Sequence, residues 1–209
     1  IRTTVFLKGC PLKCAWCHNP ENIAPQTELV RFETRCVRCG QCLQVCPVQT
    51  PPSHLPPDLS VPRDRCRLCG ACVEACPTGA RAILGRHSRV DEVIQAIAAD
   101  HLFYQDSRGG VTFSGGEPLL QYDFLRALLE ACRARAFHTA VDTCGLASRE
   151  RLLGIAPLTD LFLYDLKLVD EARHVALCGA SNQPILANLR ALGRVHKNIW
   201  LRIPVIPGI

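Results

Sequence analysis

The chain has 209 residues, which is enough for one sizeable hydrophobic core and a small additional module. Hydrophobic residues make up 48% and charged residues 21% of the sequence, as in an ordinary globular protein, and no apolar run is long enough to cross a membrane. The formal charge of +5 favours a nucleic-acid partner only if all fourteen cysteines remain neutral thiols.

Runs rich in β-branched residues alternate along most of the chain with amphipathic helical patterns. We predict strands over 2–8, 110–114, 137–142, 161–167 and 199–205, and helices over 90–103, 121–134, 148–153 and 184–195. Such an alternation is typical of a parallel sheet covered by helices, either open or closed into a barrel. Between residues 35 and 84 it gives way to short cysteine runs and a proline-rich connector. We interpret that stretch as a separate module inserted after the first strand.

Two cysteine runs in this inserted stretch have the same spacing, C-x2-C-x2-C-x3-C-P. It is the spacing of a two-cluster ferredoxin, in which the fourth cysteine of each run binds the other 4Fe–4S cluster. Zinc ribbons also use C-x2-C pairs, but they do not explain the two further cysteines and the proline, and such repeats indicate metal rather than disulfides. The predicted ligands are Cys36, Cys39, Cys42, Cys46, Cys66, Cys69, Cys72 and Cys76.

A third run, made of Cys10, Cys14 and Cys17, reads C-x3-C-x2-C and supplies only three thiolates. A 4Fe–4S cluster held by three cysteines keeps one iron free of protein, and a metal with an open position can bind a substrate or cofactor. The two clusters with four thiolates would carry about −2 each and this cluster about −1, so that together they offset the formal positive charge. No nucleic-acid role therefore follows from the charge.

Glycine or polar motifs close or follow each of the five predicted strands. They are Cys10, GGE at 115–117, DTCG at 142–145, DLK at 165–167 and PG at 207–208. Because chemistry gathers at the carboxyl ends of the strands in parallel α/β folds, we expect these motifs to form one active-site rim. Cys144 lies in one of the motifs, but like Cys132 and Cys178 it fits no cluster spacing. We expect all three of these cysteines to be small buried side chains.

The string CPLKCAWC at 10–17 matches the C-x3-C-x-aromatic-C signature of radical S-adenosylmethionine (SAM) enzymes. Over its whole length the chain resembles glycyl-radical-enzyme activases, the relatives of pyruvate formate-lyase activase. The strings IRTTVFLKGCPLKCAWCHNPEN, VTFSGGEPLLQ, VDTCG, LFLYDLKLVD and RIPVIPG occur in the family's order and spacing. The family's usual DGPG segment and its sixth strand are not found, so we expect the chain to be a fragment.

The resemblance implies an α/β fold, a partial (β/α)6-type radical SAM barrel over 1–33 and 85–209 that is truncated at both ends. An α+β ferredoxin-like module with two 4Fe–4S clusters would be inserted over 34–84. Activases with this insertion form a recognised subgroup.

The resemblance also implies an anaerobic, cytoplasmic oxidoreductase. It would reductively cleave SAM to a 5′-deoxyadenosyl radical that abstracts hydrogen from a backbone glycine of a partner glycyl-radical enzyme. The implied cofactors are three 4Fe–4S clusters, SAM and, in some members, a monovalent cation; ferredoxin or flavodoxin would be the electron donor. Three alternatives stay open. One is a radical SAM enzyme acting on a small molecule, and another is a ferredoxin-type electron carrier, which leaves the strand-end motifs unexplained. The third is a ribonucleotide-reductase activase, which shares the chemistry but does not account for the ferredoxin-like insertion.

In this family the cofactor site would use residues of the cysteine loop and of the strand ends. Trp16 would lie beside the adenine, Glu117 would accept a hydrogen bond from the ammonium group, and Lys167 would neutralise the carboxylate. Arg202 could face the cofactor or could form a salt bridge at the rim. The other residues implied are Cys17, His18, Gly115, Gly116, Asp142, Thr143, Asp165 and Leu166. No side chain is needed as a general base.

Overall fold

A computed structural model describes residues 1–48 and 65–209, so most of the proline-rich connector lies outside the described residues. The chain divides into two compact units. The first, Ile1–Pro25 with His87–Ile209, is called the sheet unit here, and the second, Gln26–Arg86, the cysteine unit. Each unit is described separately below.

The strands are β1 (Arg2–Leu7), β2 (Glu28–Arg31), β3 (Arg81–Leu84), β4 (Gly110–Gly115), β5 (Thr139–Thr143), β6 (Leu161–Asp165) and β7 (Ile199–Arg202). The α-helices are α1 (Gln41–Gln44), α2 (Ala71–Glu74), α3 (Val90–Ala98), α4 (His101–Ser107), α5 (Tyr122–Arg133), α6 (Arg149–Ile155), α7 (Glu171–Cys178) and α8 (Gln183–Val195). Among the described residues, no helix combines the length and apolar content needed to span a bilayer.

The sheet unit contains a five-stranded sheet in the order β1-β4-β5-β6-β7. All four neighbouring pairs are parallel, and the register places Leu7 opposite Gly115 and Asp165 opposite Arg202. The carboxyl ends of the five strands therefore lie along one edge. The predicted parallel α/β architecture is confirmed.

Apolar side chains from the strands and the helices form the core of the sheet unit. On α5, Leu125, Leu128, Leu129 and Cys132 follow the i, i+3, i+4, i+7 spacing and are completely buried. They belong to the same buried cluster as Phe113 of β4 and Phe162 of β6. This packing fixes the helices against the sheet and leaves the strand ends free to carry chemistry.

Two helices differ from their sequence-based prediction. The predicted helix over 90–103 is divided into α3 and α4, and the break includes Asp100, whose carboxylate accepts a hydrogen bond from the Thr3 hydroxyl of β1. Helix α7 was not predicted at all. It begins after Asp170, whose side chain accepts from the Arg173 N–H at 2.8 Å, and ends at Gly179 with φ +80°. These two caps were the available signal for it.

The cysteine unit consists of the antiparallel pair β2–β3 and the short helices α1 and α2. Each helix follows a glycine in the left-handed conformation, Gly40 with φ +77° and Gly70 with φ +83°, so the two cysteine runs repeat the same local fold. This unit extends beyond the predicted insertion of 34–84 because β2 pairs with β3. The domain boundaries themselves stay a prediction.

Candidate active site

A cavity of about 610 Å³ lies at the carboxyl edge of the sheet, a volume within the range of small-molecule sites. Its lining brings together most of the residues predicted from the sequence. Those residues are Cys10, Cys14, Trp16, Cys17, His18, Gly115, Gly116, Asp142, Asp165, Lys167 and Arg202. Glu117, Thr143 and Leu166, which were also predicted for the site, are not part of this lining.

The loop that carries the three cysteines, residues 10–17, is called the cluster loop here. Its first residue, Cys10, donates its N–H to the Ile23 carbonyl at 3.0 Å. Further along, Lys13 N–H donates to the Cys178 carbonyl at 2.8 Å, and Ala15 N–H to the Leu177 carbonyl at 2.9 Å. The cluster loop is thus anchored to the carboxyl end of α7, the helix that the sequence did not predict.

Gly115, the last residue of β4, and Gly116, the next residue, bring that strand against the backbone just before the cluster loop. A Cβ atom on Gly115 would lie 2.2 Å from the Leu7 carbonyl oxygen, and one on Gly116 would lie 2.1 Å from the Gly9 carbonyl oxygen. Gly115 also has φ +116°, which other residues rarely adopt. We expected these glycines to allow a close approach to a ligand. The structure shows close approach between backbone segments at both glycines, while their approach to a ligand stays a prediction.

Glu117 is completely buried and connects the ends of β4 and β5. Its carboxylate accepts hydrogen bonds from the Thr143 hydroxyl at 2.8 Å and from the Cys144 N–H at 2.8 Å. It also accepts from the Leu119 N–H at 3.1 Å. Burial raises the pKa of this carboxyl despite these bonds. The Glu117 carboxylate and the Thr143 hydroxyl are therefore bonded to other protein groups. This geometry gives no support to their predicted contact with a cofactor.

Charged side chains at the ends of β5, β6 and β7 form one continuous network. Asp165 accepts from Arg202 Nε at 2.6 Å and from Lys167 Nζ at 2.7 Å. Arg202 also donates to Asp142, which accepts from the Ser114 hydroxyl at 2.9 Å. Burial lowers the pKa of Arg202, but its bonds to both aspartates outweigh this effect and raise it. Arg202 therefore forms the salt bridges that were one of its two predicted roles and also lines the cavity, while its contact with a cofactor stays a prediction.

Leu166 lies next to this network and is buried. Its N–H donates to the Arg202 carbonyl at 2.9 Å, so it contributes to the site through the backbone that joins the ends of β6 and β7. Asn188 of α8 was missed by the sequence analysis. Its amide donates to the Gly145 and Ala147 carbonyls, each at 2.9 Å, and holds the loop that follows β5. An asparagine on the apolar face of a helix was the signal for it.

In the cysteine unit the eight predicted ligands line two small cavities. One is lined by Cys46 of the first run with Cys66, Cys69 and Cys72 of the second, and the other by Cys36, Cys39, Cys42 and Cys76. The fourth cysteine of each run thus joins the other run, as expected for a two-cluster ferredoxin. The Ala80 N–H donates to Cys76 Sγ at 3.2 Å, a type of bond that cluster sulfurs accept. These two sets of donors fit 4Fe–4S clusters.

Within the described ranges, no group of three or more His, Cys, Asp and Glu side chains converges closely enough to hold a single metal ion. The ligands of a 4Fe–4S cluster bind different iron atoms and do not have to converge on one point. The three cluster-loop cysteines face one cavity, and their donor chemistry fits such a cluster.

Comparisons with known proteins identify the family of this chain. The sequence profile of the Radical SAM superfamily matches residues 63–209, and that of the 4Fe-4S dicluster domain matches residues 35–81. The chain therefore belongs to the radical SAM superfamily. Within it, the relatives described next show that the chain belongs to the activating enzymes of glycyl-radical enzymes.

The trans-4-hydroxy-L-proline dehydratase activating enzyme of Clostridioides difficile is 43% identical over 100% of this chain and 69% of its own length. The benzylsuccinate synthase activating enzyme of Thauera aromatica is 45% identical over 100% of this chain and 64% of its own length. A domain of pyruvate-formate lyase-activating enzyme from Bacteroides vulgatus has a solved structure with a TM-score of 0.46 and 40% identity, covering 48% of this chain and 63% of that one. The chain spans about two thirds of the length of the first two relatives.

Proposed function

We propose that this chain activates a glycyl-radical enzyme, using a 4Fe–4S cluster held by Cys10, Cys14 and Cys17. The observation that carries the proposal is that these three cysteines line the same cavity as Asp142, Asp165, Lys167 and Arg202. Three thiolates leave one position of the cluster for a ligand, and the charged side chains suit a ligand with both amino and carboxylate groups. The two relatives compared above, which match the whole of this chain, are named as activating enzymes.

When bound, the cluster would supply the electron that cleaves SAM into methionine and a 5′-deoxyadenosyl radical, which takes a hydrogen atom from a glycine of the partner. The chain's own residues bind and orient the cofactor. Trp16 offers the adenine an aromatic surface on the cavity wall. Lys167 and Arg202 are the cations available to a carboxylate.

The acceptors for the cofactor's ammonium group are Asp142 and Asp165 in this proposal, rather than Glu117. Both aspartates line the cavity, whereas Glu117 is completely buried and lies outside the cavity lining. A monovalent cation is not included, because Arg202 and Lys167 already balance the two aspartates and the Thr143 hydroxyl donates to Glu117.

The cysteine unit would add two further clusters, three in all, that relay electrons from a ferredoxin or flavodoxin. The exchanged fourth cysteines, Cys46 and Cys76, support this part of the proposal. A purely structural role for these two clusters is the alternative. We place the reaction in an anaerobic cytoplasm, because exposed clusters and free thiols persist best in a reducing compartment.

An EPR spectrum of the anaerobically reconstituted, dithionite-reduced chain tests the proposal. We expect SAM to change the spectrum of the parent chain and of Cys132→Ala, which removes a cysteine from the apolar core. The change should disappear in Cys17→Ala, because that variant lacks one ligand of the open cluster. If SAM leaves the parent spectrum unaltered, the proposal is wrong and the electron-carrier alternative is favoured. If SAM does change the spectrum, a second test follows. Formation of a glycyl radical in a partner enzyme mixed with the chain would separate activation from small-molecule chemistry.

A further inference from the structure

Helix α7 carries a completely buried histidine, His174. Its ring nitrogen Nδ1 lies 2.6 Å from the carbonyl oxygen of Ala180, two residues beyond the end of the helix. Because a carbonyl oxygen only accepts hydrogen bonds, Nδ1 must carry a hydrogen and donate it. The second ring nitrogen, Nε2, has no hydrogen-bond partner within the described parts of the chain. The ring therefore uses its Nδ1 hydrogen to hold the helix to the turn that follows it.

The cluster loop is anchored beside this turn. The turn begins at Gly179, whose φ of +80° directs the backbone away from the helix axis. Directly before it, the Cys178 carbonyl accepts from the Lys13 N–H at 2.8 Å. The Leu177 carbonyl accepts from the Ala15 N–H at 2.9 Å. Carbonyls in the last turn of a helix have no partner inside the helix, so these two are available to the cluster loop.

The same stretch of chain is also fixed to the residues that follow β6. Asn182 is completely buried, and its side-chain amide donates to the Leu168 carbonyl at 3.0 Å and to the Val169 carbonyl at 2.6 Å. Leu168 directly follows Lys167, which lines the cavity. Residues 168–182, called the α7 segment here, therefore connect Lys167 to the cluster loop. None of these residues is part of the cavity lining.

We infer that His174 is a positioning residue that holds the cluster loop in a fixed place relative to Lys167. The inference rests on the proposed function, in which one cofactor contacts both the open cluster and Lys167. A ligand that makes both contacts binds more tightly when the two groups are held at the right separation beforehand. Loss of the bond from His174 to Ala180 should loosen the last turn of α7 and the cluster loop with it.

Leucine and asparagine at position 174 distinguish the hydrogen bond from the space that the ring fills. The two side chains are similar in size and branching, but only the asparagine amide offers a donor close to the place of Nδ1. His174→Leu should therefore lose the bond to Ala180, and His174→Asn should keep it. Both variants leave a similar gap in the packing, so the difference between them reports on the bond.

His196 provides a matched control in the same unit. Its Nε2 lies 2.8 Å from the Thr159 carbonyl oxygen, so this ring is also bonded to the backbone. It precedes β7 and belongs neither to the α7 segment nor to the cavity lining. His196→Leu thus removes a comparable bond without touching the support of the cluster loop.

The first experiment is hydrogen exchange on the iron-loaded chain, with fragmentation that resolves single amides. In His174→Leu we expect the Lys13 and Ala15 N–H groups to exchange about fivefold faster, the factor that corresponds to the loss of one typical hydrogen bond. His174→Asn should return most of this protection. In His196→Leu the two amides should exchange at the parent rate.

The second experiment is a titration of the reduced, iron-loaded chain with SAM, followed by EPR. We expect the SAM concentration for the half-maximal spectral change to rise about threefold in His174→Leu, because a loosened cluster loop must be ordered when the cofactor binds. His174→Asn should come close to the parent value, and His196→Leu should equal it. The spectrum at saturating SAM should be the same in all of these proteins, since every residue of the cavity lining is retained.

A third measurement needs no variant. Nitrogen-15 NMR of the oxidised, iron-loaded parent chain, labelled at histidine, reports which ring nitrogen carries the hydrogen. We expect a slowly exchanging Nδ1–H signal from His174. The ring of His196 accepts from the Asn198 N–H at its Nδ1 and should carry its hydrogen on Nε2. Absence of any protected Nδ1–H signal would overturn the inference, even if His174→Leu does not fold.

The outcomes separate this inference from the proposed function. A parent spectrum that does not respond to SAM would overturn both. A parent response with the same half-maximal SAM concentration in His174→Leu would overturn the inference alone. Equal exchange of the Lys13 and Ala15 amides in the parent and in His174→Leu would also overturn it, as would an equal loss of protection in His174→Asn and His174→Leu. The ring would then only fill space in the core.

Discussion

The sheet unit buries large apolar side chains from both its strands and its helices, among them Phe113, Leu128 and Phe162. Among the described residues of the cysteine unit, Leu43 is the only large apolar side chain that is completely buried. The helices differ in the same way, since α1 and α2 have four residues each whereas α5 has twelve. Helices of four residues are not stable in water without other support.

This difference indicates that the two units depend on different sources of stability. In the sheet unit, burial of apolar surface provides the main favourable free energy of folding. In the cysteine unit we expect binding of the two clusters to provide it, as metal binding does in other small metal-binding domains. One chain would then contain a unit that folds without iron and a unit that does not.

Removal of iron should have the largest effect on the stability of the chain. We expect the described part of the cysteine unit to lose nearly all of its amide protection when the clusters are removed with a chelator under anaerobic conditions. The strands of the sheet unit should keep theirs, because their core contains no cluster ligand. Hydrogen exchange followed by mass spectrometry on the iron-loaded and iron-free chains would measure both units at once. Continued protection of β3 in the iron-free chain would contradict this interpretation.

A substitution that creates a cavity in the apolar core of the sheet unit should have the second largest effect on stability. Leu128→Ala removes a completely buried side chain of α5 and should lower the free energy of unfolding by about 2–5 kcal/mol. The loss should be similar with and without iron, since the core is independent of the clusters. Denaturant titration followed by circular dichroism would measure it. Leu102→Ala is the control, because Leu102 is 71% exposed on α4 and its loss should cost less than about 0.5 kcal/mol.

Periodicity was sufficient to predict the sheet, because each of the five strands contains apolar residues and has a helical pattern beside it in the sequence. It was not sufficient for α7, which is short and has few buried residues. Nor did it show the break before α4, since the contact between Thr3 and Asp100 joins residues that are far apart in the chain. Local patterns thus predicted the elements, while distant contacts decided where two of them begin and end.

Residue type and spacing predicted most of the lining of the candidate site. They could not show that Glu117 turns inward, because its partners Thr143 and Cys144 are brought to it by the pairing of β4 with β5. The packing of Cys10 against Cys144 was hidden for the same reason. A motif specifies which groups stand at a strand end, but the neighbouring strand determines which of them face the cavity.

A substitution in the loop after β5 should have the smallest effect on stability. It tests whether the rim of the cavity, like the core of the sheet unit, is stable without iron. Gly145 has φ +72°, and a Cβ atom there would lie 1.8 Å from the Tyr164 hydroxyl oxygen, which donates to the Ile185 carbonyl at 2.8 Å. Gly145→Ala should therefore destabilise the chain by about 2 kcal/mol, through backbone strain and the displaced hydrogen bond. The loss should be the same with and without iron if the rim is held by the sheet unit alone.

Gly193→Ala is the matched control for that substitution, because Gly193 lies within α8 and a Cβ atom there would meet nothing within 4 Å. Alanine should stabilise this helix by about 0.5–1 kcal/mol, so the two glycine variants should shift the unfolding midpoint in opposite directions. A loss of stability in Gly145→Ala that appears only in the iron-loaded chain would contradict the view that the whole sheet unit folds without iron. The loops around the cavity would then depend on the cluster held by Cys10, Cys14 and Cys17, as the cysteine unit depends on its own clusters. Only the apolar core of the sheet unit would fold without iron.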